Sequence, residues 1–276
     1  MKKKLWYKNN DTLTGYMFLT PELLMLGLLL FITTMMTLYY SLTDFNMLTP
    51  DLTAFIGLDN FKALLQDKLF LKSIGNIFKF VLFIMPIQVG TALFLALLVN
   101  NKARGTIFYK IAFFSPVVMS LVVVSVLWLY LLNPADGLIN VIFEAIGFNP
   151  QPLLTSPKQA MYVIILISAW QGAGYQMLIF LAGLQNIPAE VYEASKIDGA
   201  TKWEQFTNIT LPMLKPTSLM ILTTTRIDAF KLIIQPMVMT QGGPLNSTLT
   251  PVYYIYRTGF TDRQVGFTRA ETVLYG

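Results

Sequence analysis

Polar side chains that could bind a ligand occur within two long apolar stretches of this 276-residue chain. In one stretch, Asp228, Lys231 and Gln235 stand at i, i+3 and i+7, which is the spacing of a single helix face. In the other, Gln171 and Tyr175 stand at i and i+4. These side chains can exchange hydrogen bonds with hydroxyl groups, and an aromatic ring can stack on a sugar ring. The pattern predicts a path for a polyhydroxylated solute near the middle of a membrane.

The same side chains have a second interpretation, which the spacing leaves open. Asp228 and Lys231 can neutralise each other within one helix, and Gln171 can hydrogen-bond a neighbouring helix, because membrane helices use polar side chains in this way. Arg226 lies two residues before Asp228, about 200° around a helix that turns about 100° per residue, so it falls outside the stripe.

The chain lacks the side chains on which much enzymatic chemistry depends. It contains no cysteine and no histidine, which excludes disulfides, thiolate metal sites, cysteine nucleophiles and Ser-His-Asp catalysis. Residues 242–248 are rich in glycine but lack the lysine of a phosphate-binding loop. We therefore expect no catalytic residue, no metal and no cofactor in this chain, and no ATP bound through such a loop.

Composition indicates a membrane protein. Apolar residues make up 54% of the chain and charged residues 13%, against about 25% charged residues in soluble domains. The net charge is +5, but the basic residues are scattered through short loops, which suits membrane topology better than nucleic acid binding. A bilayer span needs about 20 residues. Five apolar runs are long enough to span it, at about 15–42, 76–99, 107–132, 160–184 and 217–239. A short amphipathic helix is expected at 136–148.

The basic residues also predict the orientation. If residues 1–14 lie in the cytoplasm, ten basic residues fall in the short inner segments and eight in the longer outer segments. This higher inner density follows the positive-inside rule. It places the polar segment 185–216, between the last two apolar runs, in the cytoplasm.

The segment 185–216 itself predicts a helix that ends in a sharp turn. Pro188 suits the first turn of a helix, where its missing N–H is not needed. A helix from there to about Ile197 would end at Gly199, which can adopt the left-handed conformation of a helix terminus.

A second helix is expected directly after that turn. Thr201 and Glu204 have the spacing of a capping box, in which each side chain bonds the other's backbone N–H. Pro212 and Pro216 are then expected to break the chain before the fifth apolar run. The predicted product is a compact knob of two short helices between two membrane spans.

This knob resembles the EAA loop of the membrane subunits of binding-protein-dependent ABC importers. About ten positions match over 25 residues: Glu193, Ala194, Asp198, Gly199, Ala200, Phe206, Ile209, Leu211, Pro212 and Pro216. Further similarity to the sugar-permease branch of these importers occurs at 56–61, 96–101, 113–117, Trp128 and 240–244. Within that branch the chain is most similar to the first-type permeases, of the maltose and glycerol-phosphate kind.

The resemblance implies an all-α polytopic membrane protein, with the fold of an ABC importer type I transmembrane subunit and a cytoplasmic coupling helix. In that family the loop docks on a cytoplasmic ATPase. The expected ATPase-coupling residues are therefore Glu193, Ala194, Asp198, Gly199 and Ala200.

The resemblance also implies partners and a place. The expected partners are a homologous second permease, two ATPase subunits that bind ATP and Mg²⁺, an extracytoplasmic solute-binding protein and membrane lipid, with no nucleic acid. The expected location is the plasma membrane of a bacterium or archaeon, and the expected solute is a sugar or a related compound. An anionic sugar or a sugar phosphate is also possible, because Lys231 or Arg226 could bind its negative charge.

Three features differ from the family pattern. The chain ends at Gly276, so the final span of the family is expected to be absent and 265–276 to be its approach. Arg269 and Glu271 stand where the family has small residues. Arg226 lies within the fifth apolar run, where an uncompensated arginine costs about 2.5–3.5 kcal/mol on insertion scales.

Two function classes other than a transport subunit remain, a membrane-embedded enzyme and a structural membrane scaffold. Co-purification with an ATPase would distinguish the transport subunit from both.

Overall fold

A computed structural model of the chain describes residues 2–46, 49, 51, 53–100, 106–261 and 265–275, with side chains from residue 12 onward. Met1, residues 101–105, Arg263 and Gly276, which entered the predictions above, lie outside it. The helices are α1 (Lys2–Ser41), α2 (Asp59–Gln66), α3 (Lys68–Asn100), α4 (Thr106–Val118), α5 (Leu121–Leu131), α6 (Leu138–Ala145), α7 (Ala160–Gln185), α8 (Ala189–Ile197), α9 (Lys202–Gln205), α10 (Leu211–Met213), α11 (Lys215–Phe230), α12 (Pro251–Tyr256) and α13 (Val265–Tyr275). Short π-helical turns occupy Phe206–Thr210, Pro236–Thr240 and Arg257–Thr261, and a 3₁₀ turn occupies Leu153–Thr155. The all-α prediction is confirmed, since β pairing within these ranges is limited to one bridge between Thr43 and Phe55.

Three of the described helices are long and apolar enough to cross a membrane. They are Thr12–Ser41 within α1, α3 and α7. Helices α4 and α5 qualify as a fourth span only as a pair, and their axes are bent by 97°. The third predicted run, 107–132, is therefore not one continuous helix.

Pro116 lies in the last turn of α4, directly before the bend between α4 and α5. Proline has no backbone N–H, so the carbonyl of Ala112 lacks its helical donor. The hydroxyl of Ser115 donates to that carbonyl instead, at 3.0 Å. Two residues after α4 ends, Ser120 has extended backbone angles (φ −58°, ψ 136°), and α5 begins at Leu121. The sequence prediction missed this break because the residues on both sides are apolar.

The fifth predicted run, 217–239, is also interrupted. Helix α11 ends at Phe230, and the chain is helical again from Ile234, directly before the π turn Pro236–Thr240. Pro236 leaves the carbonyl of Leu232 without a helical donor. The buried hydroxyl of Thr250 supplies one, at 2.7 Å. The helix stops before Lys231, well ahead of Pro236.

The expected break at Pro212 and Pro216 is confined to a turn at Leu214, where α10 ends and α11 begins. Leu211 (φ −61°, ψ −46°) and Leu214 (φ −81°, ψ −4°) keep helical backbone angles, so the chain continues as a series of short helical turns. Pro216 stands in the first turn of α11, where its missing N–H removes no helical bond, and Pro212 stands two residues after a π turn. The preceding π turn accommodates the irregularity.

Residues 68–254 form one compact unit, built around the contact between α3 and α7. Helices α4 and α11 pack against this pair. Two glycines of α7 permit the approach: a Cβ on Gly172 would overlap the side chain of Gln88, and one on Gly174 would overlap the carbonyl of Phe113. The missing side chains of these glycines therefore allow α7 to pack closely against α3 and α4.

Residues 1–67 and 255–276 form a second unit, in which α13 packs against α1 and α2. The N–H of Gly266 donates to the carbonyl of Phe45 at 2.9 Å. The guanidinium of Arg269 donates to the hydroxyl of Thr37 at 2.8 Å. Glu271 is fully buried, and its carboxylate oxygens have no hydrogen bond within the described residues. Arg269 thus has a polar partner at its unusual position.

Candidate functional site

A cavity of about 210 Å³ opens at the C-terminal end of α11. Its walls come from α3, α5, α7 and the segment 225–235. Apolar residues form most of the wall, and the polar groups in it are Gln88, Ser168, Thr225, Asp228, Lys231 and Gln235. The structure thus brings three of the five predicted solute-path residues to one cavity.

The polar groups of this cavity are positioned by the end of α11. The helix closes with the N–H of Lys231 on the carbonyl of Asp228, at 3.1 Å, and both side chains are exposed. No ion pair joins the two within the described part of the chain, so the predicted mutual neutralisation is not seen there. Gln235 is buried, and its amide N–H donates to the hydroxyl of Ser168 at 3.4 Å. A ligand would meet a carboxylate, an ammonium group and an amide along one wall.

Gln171 and Tyr175 do not line this cavity. Gln171 is buried and donates from its amide to the carbonyl of Met119 at 3.3 Å. That carbonyl lies at the bend between α4 and α5, where the helical partner is lost. Tyr175 is exposed on α7. For Gln171 the contact favours the second interpretation, in which the side chain joins two helices.

Sequence reasoning missed part of the polar wall. Gln88 had a signal, because it is the one amide in the uncharged stretch 80–99. Ser168 and Thr225 gave no such signal in the sequence, since hydroxyl side chains commonly hydrogen-bond a carbonyl of their own helix. Thr225 does so with the carbonyl of Ile221 and also accepts a buried hydrogen bond from the amide of Gln176.

The predicted turn after α8 is present. Gly199 has a left-handed backbone (φ +81°). Its N–H donates to the carbonyl of Lys196 at 3.1 Å, and the N–H of Ala200 donates to the carbonyl of Ser195 at 2.9 Å. This pair of bonds is the Schellman motif, which satisfies the last carbonyls of a helix.

The predicted capping box is present as well. The N–H of Glu204 donates to the hydroxyl of Thr201 at 3.3 Å, and the N–H of Thr201 donates to the carboxylate of Glu204 at 2.7 Å. The N–H of Thr201 and its hydroxyl both donate to the carboxylate, which favours the charged form and lowers the pKa of Glu204. The amide of Gln205 then donates to the hydroxyl of Ser195 at 2.8 Å, which fastens α9 to α8.

The outer surface of this knob is open to a partner. Helix α8 has no buried residue, and the five predicted coupling residues are exposed or, in the case of Ala200, half-buried. Two large apolar side chains project beside them, Ile197 at 87% exposure and Trp203 at 71%. The sequence analysis did not identify either residue as part of this surface. The signal that could have done so was a large apolar side chain in an otherwise polar loop.

The inner surface of the knob is anchored to the core. The hydroxyl of Tyr192 lies 2.9 Å from that of Thr210, and the Tyr192 side chain packs on a buried cluster that includes Phe180, Leu214 and Ile221. This cluster joins the ends of α3, α7 and α11. Helix α11 continues from it for 16 residues, a length of about 24 Å. One rod therefore links the knob to the polar cavity.

Comparison with known proteins gives matches along most of the chain. The family model for the binding-protein-dependent transport system inner membrane component matches residues 67–274. A probable ABC transporter permease protein of Pyrococcus horikoshii is 34% identical over 259 residues, covering 92% of this chain and 87% of its own length. The sn-glycerol-3-phosphate transport system permease protein UgpA of Escherichia coli O157:H7 is 33% identical over 261 residues, covering 94% and 88%.

The fold is similar to that of a solved transporter. A chain in the crystal structure of a bacterial alginate ABC transporter, in complex with an alginate pentasaccharide-bound periplasmic protein, aligns with a TM-score of 0.84. The alignment covers 99% of this chain and 92% of that one, at 23% sequence identity.

Proposed function

Since the chain belongs to the family of inner membrane components of binding-protein-dependent transport systems, we propose that it couples ATP hydrolysis in a partner to the passage of a sugar or related solute. Members of this family are transport subunits and not enzymes. The solute would pass the cavity at the end of α11, and the knob formed by α8 and α9 would receive the motion of the ATPase.

The observation that carries this proposal is the continuous connection from knob to cavity. The Schellman turn and the capping box fix α8 and α9 to each other, and the cluster under Tyr192 fixes both to α11. Asp228 stands near the far end of the same helix, in the cavity wall. A push on the knob would move that wall as a rigid body.

The proposed assembly contains a homologous second permease, two ATPase subunits and an extracytoplasmic solute-binding protein. ATP and Mg²⁺ would bind in the ATPase subunits. Glu193, Ala194, Asp198, Gly199 and Ala200 would form the docking surface, with Ile197 and Trp203 as its apolar contacts. Residues 1–14 and the knob would lie in the cytoplasm.

The proposed solute chemistry follows from the cavity wall. Gln88 and Gln235 can donate and accept hydrogen bonds with sugar hydroxyls, and the Asp228 carboxylate can accept them. The Lys231 ammonium is suited to a carboxylate or phosphate on the sugar. This chemistry agrees with the relative UgpA, which is named for sn-glycerol-3-phosphate.

A pair of isosteric variants tests the cavity. In the reconstituted complex with its binding protein, Gln235→Leu removes the amide from the cavity wall. Losing one aimed hydrogen bond costs about 1–3 kcal/mol, so we expect uptake to fall by roughly tenfold while the ATPase subunits still co-purify. Gln171→Leu is the matched comparison, because its amide joins two helices: we expect assembly or thermal stability to suffer first. Normal uptake by Gln235→Leu would reject the cavity assignment.

A further inference from the structure

An open groove of about 540 Å³ lies between the end of α5, the turn at 153–155 and the segment 239–244. Most of its lining is apolar, and its polar side chains are those of Tyr130, Asn133, Thr155 and Thr240. The groove is separate from the polar cavity at the end of α11, and the function proposed above leaves it without a role.

The groove lies at the opposite end of the membrane domain from the knob. Helix α7 starts at Ala160, five residues after Thr155, and ends at Gln185, four residues before α8 begins. Its 26 residues extend for about 39 Å, which exceeds the thickness of a hydrocarbon core of about 30 Å. Groove and knob are therefore on opposite sides of the membrane, and in the proposed orientation the groove faces outward.

Backbone strain is concentrated around this groove. Within the described ranges, four residues other than glycine have a left-handed backbone: Leu153 (φ +43°), Gln241 (φ +50°), Leu245 (φ +52°) and Asn246 (φ +57°). Each lies within two residues of the lining. Leucine is disfavoured in this region because its Cβ comes too close to the following carbonyl. Such strain persists only where the surrounding structure holds it, and it clusters at binding sites.

Helix α3 holds the strained segment in place. The ammonium group of Lys72 donates to the carbonyl of Leu245 at 2.6 Å. The amide group of Asn76 donates to the carbonyls of Asn246 and Leu249, both at 2.9 Å. A segment fixed in this way has little conformational freedom left to lose when a partner binds, so it is preorganised for binding.

The fixed conformation exposes an apolar side chain among polar ones. Leu245 is 77% exposed, although the three residues that follow it are Asn, Ser and Thr. Tyr130, on the α5 side of the groove, is 73% exposed. Apolar and tyrosine side chains on a rigid surface beside an apolar groove are typical of a protein–protein contact.

One short segment joins this groove to the polar cavity. Gln235 lies in the wall of the cavity and Thr240 in the wall of the groove, and the π turn Pro236–Thr240 connects them. On α5, Leu121 lines the cavity and Leu129 lines the groove, about 12 Å further along the helix. A protein in the groove would therefore stand beside the outer end of the cavity, where a delivered solute must arrive.

We propose that the groove and Leu245 form the contact of this chain with the extracytoplasmic solute-binding protein. An apolar side chain of that protein would enter the groove, and Leu245 would enter an apolar recess on its surface. This proposal rests on the function proposed above. It assigns the contact to 240–246 and the end of α5, and not to the outer segment around α6.

The first test uses the absence of cysteine from this chain. Leu245→Cys places a single thiol on the segment, and its reaction with a water-soluble maleimide is followed on this chain in the complete transporter. Saturation with the binding protein that supports uptake should slow the reaction several-fold. Ile146→Cys, at a 62% exposed residue that ends α6, is the matched control and should react at the same rate with and without that protein.

The second test measures the affinity of the transporter for the same binding protein. Leu245→Asn keeps a residue that tolerates the left-handed backbone and removes the apolar side chain. The loss of one buried leucine should weaken binding by roughly tenfold or more, while the ATPase subunits still co-purify. Ile146→Asn is the control and should leave the affinity unchanged.

The outcomes separate this contact from its alternatives. Protection of Leu245→Cys by the binding protein, together with weaker binding by Leu245→Asn alone, supports the contact. A thiol at 245 that is unreactive before the binding protein is added would mean that the second permease covers the segment, which overturns the proposal. Normal binding by Leu245→Asn overturns this contact but leaves the proposed function intact, whereas failure of the unsubstituted transporter to bind would overturn both.

Discussion

Gly199→Val tests whether the shape of the knob transmits work. Gly199 has φ +81°, and no atom lies within 4 Å of the position that a Cβ would take. The substitution is therefore free of collisions, and its cost is that of a left-handed backbone. That cost is about 1–2 kcal/mol for an ordinary L-residue, and it is greater for a β-branched one. Because 1.4 kcal/mol corresponds to about tenfold in an equilibrium, the population with an opened Schellman turn should rise by about tenfold or more.

Opening the turn removes the two hydrogen bonds that the N–H groups of Gly199 and Ala200 donate to the end of α8. Helices α8 and α9 would then lose their fixed angle, and a push on one would no longer reach the core through the other. In proteoliposomes we expect ATP hydrolysis to continue while solute transported per ATP falls several-fold. Gly199→Asn is the control, because asparagine tolerates the left-handed region and should keep most of the coupling.

The reasoning fails on a specific result. If a stably assembled Gly199→Val complex transports as many solutes per ATP as the unsubstituted one, the turn does not transmit the motion. A Gly199→Asn complex as uncoupled as Gly199→Val would show that loss of glycine, and not strain at this φ, is responsible.

Three further outcomes are expected. Thr250→Val should lower the free energy of unfolding by about 1–3 kcal/mol, because it orphans the carbonyl that its hydroxyl satisfies; Thr250→Ser should not, and equal thermal-unfolding midpoints for both would contradict this. Gly174→Ala should destabilise the protein, since its Cβ would overlap the Phe113 carbonyl, whereas Gly90→Ala has open space and should stabilise it by about 0.5–1 kcal/mol; a stabilised Gly174→Ala would refute the packing argument. The lowered pKa of Glu204 means that its capping box stabilises the knob above the ordinary glutamate pKa and that this contribution is lost as the pH falls through the lowered value. Hydrogen exchange in α9 should show that loss in the unsubstituted chain and not in Glu204→Gln, and identical pH profiles would exclude it.

The local parts of the knob could be predicted because they depend on neighbouring residues. Gly199 ends one helix, and Thr201 with Glu204 begins the next, through bonds that span at most five residues. The all-α class and the apolar helices α3 and α7 followed from composition and length. These features need no knowledge of distant contacts.

The two broken spans could not be predicted in the same way. Whether Pro116 or Pro236 interrupts a helix depends on what satisfies the freed carbonyl, and for Leu232 that group is Thr250, 18 residues further on. The sequence also could not show that Gln171 and Tyr175 lie outside the cavity, because that too depends on contacts between distant parts of the chain. The helical spacing placed each residue on a face, but only the bend at Met119 decides what that face meets.

The buried Gln176–Thr225 hydrogen bond divides α11 into two unequal arms, about which a tilt of the helix can be considered. Thr225 is ten residues from Lys215, at the knob end, and three residues from Asp228, which gives arms of about 15 and 4.5 Å. A tilt of the helix about this fulcrum that moves the knob end by about 3 Å moves the cavity end by only about 1 Å, in the opposite direction. If a partner moves the knob as proposed, a wide movement there would become a small displacement of the residues that would hold a solute.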